Sequence, residues 1–296
     1  MKKITIKEFY KSGQGAQWML LLMVIIVISV ITTLINPRFV RINNLMNIFE
    51  QISVLGLMAA GATILINNGV NSFIAAIVCI LVSMSCTTLN GILSIVFKSP
   101  SFIISLATTS IFTGIALFVT KGVIRTVYGQ FDFLSATRLF GFIPLLFIIS
   151  LIGYVLVHIL LKFTQIGRRL FSIGCNETAA FLAGIDVVKN KLLFFAMNGF
   201  FVGMASVLLL SRVGSALPST GAGYELQAMG AVVIGGVPIN GGKGSIIGTF
   251  FGVLLMGLIS NVLNILGVNP YLQEIASGTI IILSLGISTL RTKSRN

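Results

Sequence analysis

Long stretches without a single charged residue divide this chain, and they restrict its fold more than any other feature. Most of them can hold the roughly 20 apolar residues that one helix needs to cross a bilayer. Their apolarity is continuous, whereas barrel strands would alternate in polarity over about ten residues. The predicted fold class is therefore all-α, a polytopic transmembrane helical bundle. The stretches are Ser12–Pro37, Gln51–Phe97, Ser99–Thr120, Leu139–Leu161, Leu192–Ser211, Leu226–Gly242, Gly244–Gln273 and Ile275–Leu290.

The composition argues against a soluble globular fold and against nucleic-acid binding. Hydrophobic residues make up 56% of the 296 residues and charged residues only 9%, whereas about a quarter of the residues of a soluble domain are charged. The formal net charge of +13 comes from basic residues in short segments between the apolar stretches, not from a basic stripe on an exposed domain. We expect membrane lipid around this chain and no nucleic acid.

About nine membrane segments are predicted, within a range of eight to ten. The seventh is short and rich in glycine, so we expect a broken or partial span there. The predicted segments are Trp18–Ile35, Leu45–Ile66, Phe73–Phe97, Ser101–Thr120, Leu139–Leu161, Leu192–Leu210, Leu226–Pro238, Gly244–Leu266 and Tyr271–Leu290.

Basic residues near the ends of the segments predict the orientation of the chain. The internal loop 162–191 and the tail 291–296 are both expected in the cytoplasm, and four lysines favour the same side for residues 1–17. Counting back from the internal loop through five spans instead places the N-terminus outside. One span is therefore missing, or one segment does not cross. The basic residues of the internal loop are Lys162, Arg168, Arg169, Lys189 and Lys191.

The few ionisable groups argue against catalysis and against ion coupling. Seven carboxylates and one histidine are too scattered for a catalytic or metal-binding cluster, so neither kind of site is predicted. A proton- or sodium-coupled carrier usually holds a charge at mid-membrane, yet the carboxylates lie in loops or near span ends. Coupling through backbone carbonyls stays open.

A glycine-rich segment, GGVPINGGKGS from Gly235 to Ser245, has some likeness to a phosphate-binding loop. The motif Gly-x-x-x-x-Gly-Lys-Ser/Thr, however, needs glycine where Val237 stands and a hydroxyl where Gly244 stands. If nucleotide hydrolysis powers this protein, a partner subunit must bind the ATP, and no cofactor is expected on this chain. The segment is either a tight turn or a cytoplasmic contact with a partner, formed by Gly235, Gly236, Gly241, Gly242, Lys243 and Gly244.

Two pairs of glycines, Gly199 with Gly203 and Gly248 with Gly252, have small-xxx-small spacing. This spacing lets helix backbones approach closely. We favour packing within the chain over a dimer interface for both pairs.

The internal basic loop contains the polar stretch GRRLFSIGCNETAAFLAGIDV, from Gly167 to Val187. Asn176 suits a helix N-cap and Gly184 a helix stop, so a short helix is predicted over about 176–183. Such a helix between two spans is either a knob that docks into another protein or an ordinary amphipathic connector.

Three segments closely resemble the ribose/branched-sugar family of bacterial ABC permeases. They are this loop, TGAGYELQAMGAVVIGGVPINGGKGSIIGTFFG from Thr220 to Gly252, and SNVLNILGVNPYLQEI from Ser260 to Ile275. The resemblance covers roughly Leu45–Leu290 and is strongest after Gly167. It implies a type II ABC importer architecture of about ten helices, in a single permease domain over residues 1–296, in the bacterial cytoplasmic (inner) membrane.

The resemblance also implies the partners and the contacts. Two permease subunits, copies or paralogues, would form the pathway, with ABC ATPase subunits below and a periplasmic or lipoprotein solute-binding protein above. ATP and Mg would bind to the ATPase. The family usually has Glu-Ala-Ala where this chain has Glu177, Thr178 and Ala179, which is a mild departure. The implied residues of the ATPase-coupling loop are Arg168, Arg169, Gly174, Asn176, Glu177, Ala179, Ala180 and Gly184.

A larger departure follows LMAAGATILI, Leu57–Ile66. The family commonly continues with a threonine-glycine-glycine-isoleucine-aspartate-leucine-serine stretch that opens another helix, whereas this chain goes directly to Asn67. About twenty residues, the length of one membrane helix, are thus missing near Ile66–Asn71. A missing helix explains why the span count and the N-terminal lysines disagree. We therefore hypothesise nine segments here, with altered packing around Leu45–Ser72, which puts transport competence in question.

The predicted function is that of the permease subunit of an ATP-driven importer for a sugar or sugar-like solute. The loop Lys121–Arg138 and the Ser211–Glu225 connection are expected to face outward, toward the binding protein. The alternatives are an ion-coupled secondary carrier and a non-transporting paralogue that pairs with an intact permease. A polar, uncharged lining would suit a neutral sugar, and its candidates are Asn47, Gln51, Asn198, Gln227, Asn261 and Asn264.

Overall fold

The computed structural model describes residues 13–35, 72–126, 131–139, 141–216, 221, 223–238 and 241–293. These residues are almost entirely helical, which confirms the all-α prediction. Four predictions lie outside the described residues: the N-terminal residues 1–12, the span Leu45–Ile66, the deletion near Ile66–Asn71, and the two pathway candidates Asn47 and Gln51.

Eleven helices and four very short strands follow one another along the described residues. The helices are α1 (Gly13–Ile35), α2 (Ser72–Val96), α3 (Ser101–Thr120), α4 (Asp132–Ala136), α5 (Leu145–Phe163), α6 (Gln165–Cys175), α7 (Glu177–Leu182), α8 (Val187–Val213), α9 (Tyr224–Ile234), α10 (Ile246–Ile265) and α11 (Pro270–Lys293). The strands are β1 (Arg125–Thr126), β2 (Arg138–Leu139), β3 (Ile143–Pro144) and β4 (Ser215–Ala216).

Within the described residues, five helices, α2, α3, α5, α8 and α10, are long and apolar enough to cross a membrane. Many of their large apolar side chains are exposed on the isolated chain. A helix satisfies its own backbone hydrogen bonds, so such surfaces are suited to lipid. The chain is therefore a multi-pass integral membrane protein.

Several predicted spans have different ends in the structure, and the largest differences are those of α5 and α8. The span predicted to start at Leu139 begins only at Leu145, because β2 and β3 form an antiparallel hairpin in front of it. Helix α8 extends beyond the predicted Leu192–Leu210 at both ends. The side chain of Asp186 accepts a hydrogen bond from the backbone N–H of Lys189 at 3.0 Å, and Gly214, at φ 65°, ends the helix.

The described residues form two compact units. One unit contains α2 to α8, and α8 packs along α2 within it. A Cβ added at Gly199 would meet the Thr87 side chain and lie 2.6 Å from the Cα atom of Met84. One added at Gly203 would lie 2.7 Å from the Cα atom of Ile80. Both glycines therefore serve packing within the chain, as predicted.

A cap covers one end of α8 and is built from the described parts of the two segments predicted to face outward. Strand β1 pairs with β4, and the Ser211 hydroxyl donates a buried hydrogen bond of 2.8 Å to the carbonyl oxygen of Phe131. The Phe131 ring packs in a buried cluster with Val207 and Leu210 of α8. Helices α6 and α7 lie at the other end of α8, about 40 Å away along a 27-residue helix.

The other unit contains α1 and the chain from Glu225 onward. Helix α10 packs against α1 and α11, and its buried apolar residues form a cluster with Ala231 of α9. A Cβ added at Gly252 would meet the carbonyl oxygen of Ala231, and one added at Gly235 would lie 2.6 Å from the carbonyl of Gly248. The second glycine pair therefore also packs within the chain.

Candidate functional site

The candidate site is the segment between α5 and α8, residues 164–186, which we call the α6–α7 loop. Helix α6 was not predicted. It begins after Thr164, whose hydroxyl accepts a hydrogen bond from the backbone N–H of Gly167 at 3.4 Å. Its basic residues, Arg168 and Arg169, are exposed, whereas Ile173 is buried. Its apolar residues Ile166, Leu170 and Ile173 recur at helical spacing on the less exposed face. The sequence analysis overlooked this amphipathic pattern.

Helix α7 confirms the predicted short helix and both of its ends. The Asn176 side chain accepts a hydrogen bond from the backbone N–H of Ala179 at 2.9 Å, which is the bond expected of an N-cap. Gly184 has a φ of 81°, and its N–H donates to the carbonyl oxygen of Phe181 at 2.9 Å. A left-handed glycine of this kind is a common helix stop. The helix therefore has a defined length and two fixed ends.

A small core attaches α7 to its neighbours. Ala180 is buried together with Ile173 of α6 and Val187 of α8, and Ile185 and Phe194 pack around them. The sequence analysis assigned Ala180 to the ATPase-coupling loop. In the structure its side chain lies in this core and holds α7 against α6 and α8.

An ion pair adds a second attachment between α7 and α8. The ammonium group of Lys191 donates a hydrogen bond of 2.6 Å to a carboxylate oxygen of Glu177. The two side chains are 33% and 57% exposed, respectively. Exposed ion pairs contribute only about 0–1 kcal/mol to stability. The pair therefore orients the helix more than it stabilises the fold.

The exposed surface of the α6–α7 loop contains most of the predicted coupling residues and two large apolar residues that the sequence analysis did not single out. Phe181 and Leu182 leave 68% and 79% of their surface exposed. The sequence could have revealed this surface, because two adjacent large apolar residues come just before the helix stop at Gly184. The predicted coupling residues that are exposed are Arg168, Arg169, Gly174, Asn176, Glu177, Ala179 and Gly184.

The described part of the glycine-rich segment is a turn between α9 and α10. Gly235 is buried against the backbone of Gly248. Gly236, Gly241 and Gly242 have φ values of 92°, 75° and 77°, which glycine adopts without strain. These features favour the tight-turn interpretation. Contact with a partner stays a prediction for this turn, including its exposed Lys243 and half-buried Gly244.

The described pathway candidates differ in their surroundings. Asn261 is buried in α10, and Gln227 is half-buried in α9. Asn264 is exposed and accepts a hydrogen bond from the side-chain amide of Gln273 at 3.0 Å. Asn198 is exposed on α8, which belongs to the other unit. Their role in a pathway stays a prediction.

These features define a class of protein. It is a polytopic helical membrane protein with a short helix, capped at its start and ended by a glycine, between two of its spans. The chain belongs to the family described as the permease component of the branched-chain amino acid transport system, which matches residues 20–285. It is therefore a transport permease and not an enzyme.

Comparison with curated proteins agrees with this assignment. The chain is 32% identical to the ribose import permease protein of Bacillus subtilis, with 88% of each chain covered. It is 34% identical to the ribose import permease protein of Haemophilus influenzae, over 88% of this chain and 90% of that one. It is 33% identical to the D-allose transport system permease protein of Escherichia coli, over 90% of each chain. The predicted resemblance is confirmed, and no solved structure gives a significant match.

The comparisons also bear on the hypothesised deletion. The alignment with a probable ABC transporter permease protein of Escherichia coli runs over 318 positions, more than the 296 residues of this chain. The excess positions have no counterpart here. Their number is about that of one membrane helix, and a single deletion near Ile66–Asn71 stays a prediction.

Proposed function

We propose that this chain is the permease subunit of an ATP-driven importer of the ABC type, which carries a sugar or sugar-like solute across the bacterial cytoplasmic membrane. Relatives named for the import of ribose, D-allose and galactose support the solute class. The observation that carries the proposal is the α6–α7 loop. It presents a short helix of defined length, attached to the end of a helix long enough to span the membrane.

The proposed assembly has three kinds of component. Two copies of this chain, or this chain and a paralogue, form the pathway. ATPase subunits bind ATP and Mg on the cytoplasmic side, and they contact the loop 162–191. A periplasmic or lipoprotein solute-binding protein docks on the cap at the other end of α8. The tail 291–296 and residues 1–17 belong to the cytoplasmic side.

The contacts of α7 suggest how ATP binding moves the membrane helices. Ala180 and the Glu177–Lys191 pair attach α7 to the beginning of α8. Helix α8 in turn packs on α2 at Gly199 and Gly203, where backbone contact leaves little room for independent sliding. A displacement of α7 by the closing ATPase is therefore passed to α8 and α2 together, and helix rearrangement alternates access to the pathway.

The proposal requires little binding energy from the permease itself. The solute-binding protein selects and delivers the solute, and the permease offers a polar, uncharged route. Asn198, Gln227, Asn261 and Asn264 are the described candidates for that route. Gln227 is half-buried and Asn261 is buried, so both side chains also suit a role in helix packing.

Retention of an ATPase by the affinity-purified chain tests the proposal. We co-express the tagged chain with ABC ATPase subunits from the source genome, one at a time, and purify it in mild detergent. We expect one ATPase to be retained, and to be retained more weakly with Glu177→Arg, because the reversed charge repels Lys191 and changes the orientation of α7. Arg138→Glu, an exposed charge reversal in the cap, should leave retention unchanged.

Other results would contradict the proposal in recognisable ways. Retention that requires an intact paralogue would favour a non-transporting subunit. Failure of every ATPase to be retained would favour an ion-driven carrier instead.

A further inference from the structure

The exposed side of α7 carries an apolar surface that the fold does not explain. Phe181 and Leu182 are 68% and 79% exposed, while Ala180 beside them points into the core of the α6–α7 loop. Substitution of either exposed residue by a polar one would leave that core intact. Large apolar side chains grouped on a polar segment commonly mark an interaction site.

Glu177 is not part of this interaction surface. Its carboxylate is already bonded to Lys191 at 2.6 Å, and Lys191 belongs to α8. A direct ion pair between Glu177 and another protein would require this bond to break. The carboxylate is therefore placed to orient α7 relative to α8.

We propose that Phe181 and Leu182 are the side chains through which this chain contacts its ATPase subunit, in an apolar pocket with an acidic rim, while Glu177 acts within the chain by holding α7 to Lys191. The inference rests on the proposed function and names the contact residues of the α6–α7 loop. Phe181 and Leu182 are contact residues, and Glu177 and Lys191 are positioning residues.

The charges around α7 indicate the chemistry of the pocket. Arg168 and Arg169 of α6 and Lys189 of α8 are exposed. Of the two acidic residues in the α6–α7 loop, Glu177 is paired with Lys191 and Asp186 caps α8. The exposed charge is thus mainly positive, and an acidic rim on the partner would complement it.

The dimensions of α7 favour a protein pocket over the membrane surface. Interfacial helices bury a long apolar face along the membrane plane. Helix α7 has only six residues, and its large exposed apolar residues are the adjacent pair Phe181 and Leu182. One aromatic and one aliphatic side chain of this kind are typical of an anchor that fills a pocket.

The first test compares ATPase retention by the wild type and two double variants. We expect Phe181→Ser combined with Leu182→Ser to lower the affinity for the ATPase at least about tenfold, as for residues that dominate an interface. Tyr271→Ser combined with Leu272→Ser is the matched control, since this adjacent pair at the start of α11 is 77% and 56% exposed, and it should bind as the wild type does. Wild-type affinity of the variant changed at Phe181 and Leu182 would overturn the inference. Loss of binding by the wild type as well would instead overturn the proposed function.

The second test separates positioning from contact. Glu177→Lys and Lys191→Glu should each weaken binding, and the two changes together should restore it, because the swapped pair re-forms the same attachment. If Glu177 contacts the ATPase directly, the swapped variant stays as weak as Glu177→Lys alone. That result would overturn the positioning role.

The third test distinguishes the ATPase from lipid. An environment-sensitive dye is attached at Leu182→Cys after replacement of Cys79, Cys86 and Cys175, in nanodiscs of phosphatidylglycerol and phosphatidylcholine. We expect emission typical of water until the ATPase is added, and a shift to shorter wavelength afterwards. Short-wavelength emission without ATPase would assign Leu182 to the membrane surface and overturn the inference.

Discussion

The variant Gly199→Leu is expected to lose most of its folded, monodisperse yield after extraction in mild detergent. Gly199 faces α2 so closely that even a Cβ atom meets the Thr87 side chain and lies 2.6 Å from the Cα atom of Met84 and 2.8 Å from the carbonyl oxygen of Ser83. A backbone cannot rotate away as a side chain can, so the two helices must separate along their contact. Overpacking usually costs about 1–3 kcal/mol, and a collision with backbone is expected at the upper end or above.

The same substitution at Gly153 is the matched control for Gly199→Leu. Gly153 also lies within a membrane-spanning helix, α5, but an added Cβ finds no atom within 4 Å. Size-exclusion chromatography of fluorescently tagged variants should therefore show a wild-type peak for Gly153→Leu and a collapsed or aggregated peak for Gly199→Leu. Equal yields would contradict the α2–α8 packing and the route of coupling through it.

The variant Gly252→Leu is expected to have the second largest effect, in the other unit of the chain. A Cβ at this position meets the carbonyl oxygen of Ala231 and lies 3.1 Å from the backbone nitrogen of Gly235. Leucine would push α10 away from α9 and from the turn that follows it. Membrane helices associate largely through close packing, so the loss of this contact should lower the thermal unfolding midpoint by several degrees or more.

Gly278 supplies the control for Gly252→Leu. It lies in α11 of the same unit, and nothing lies within 4 Å of an added Cβ. We expect Gly278→Leu to unfold at the wild-type temperature when thermal unfolding is followed by thiol-reactive dye or by aggregation. A midpoint for Gly252→Leu as high as that of Gly278→Leu would show that α9 and α10 do not pack as described.

The membrane-spanning helices could be predicted because their signal is a simple property of the sequence. Runs without charge identified α2, α3 and α10 closely, since a helix in lipid must be apolar along its whole length. The ends of α5 and α8 could not be read from this signal. The start of α5 depends on a hairpin whose strand β3 lies inside the uncharged run Leu139–Leu161. The start of α8 depends on the hydrogen bond accepted by Asp186, which lies outside the run Leu192–Ser211.

The candidate site could be predicted in part. Asn176 and Gly184 act locally, within one turn of helix, so their identities were enough to predict the ends of α7. The direction of each side chain could not be predicted, because it depends on how α7 packs against α6 and α8. The sequence therefore named Ala180 as a residue of the coupling loop without predicting its burial, and it did not predict the exposure of Phe181.

The cap shows a second limit of prediction from the sequence. The sequence predicted that its two segments face the same side of the membrane, because orientation follows from basic residues and span counting. Their direct pairing through Thr126 and Ser215, and the bond from Ser211 to Phe131, join residues far apart in the chain. Local pattern and propensity carry little information about such contacts.

Uptake of labelled ribose by reconstituted proteoliposomes tests the central claim most directly. The vesicles contain this chain and its ATPase with ATP in the lumen, and the solute-binding protein is added outside. We predict accumulation that requires ATP and all three components, and that survives ionophores which abolish proton and sodium gradients. Uptake by the chain alone, driven by an ion gradient and indifferent to ATP, would contradict the account.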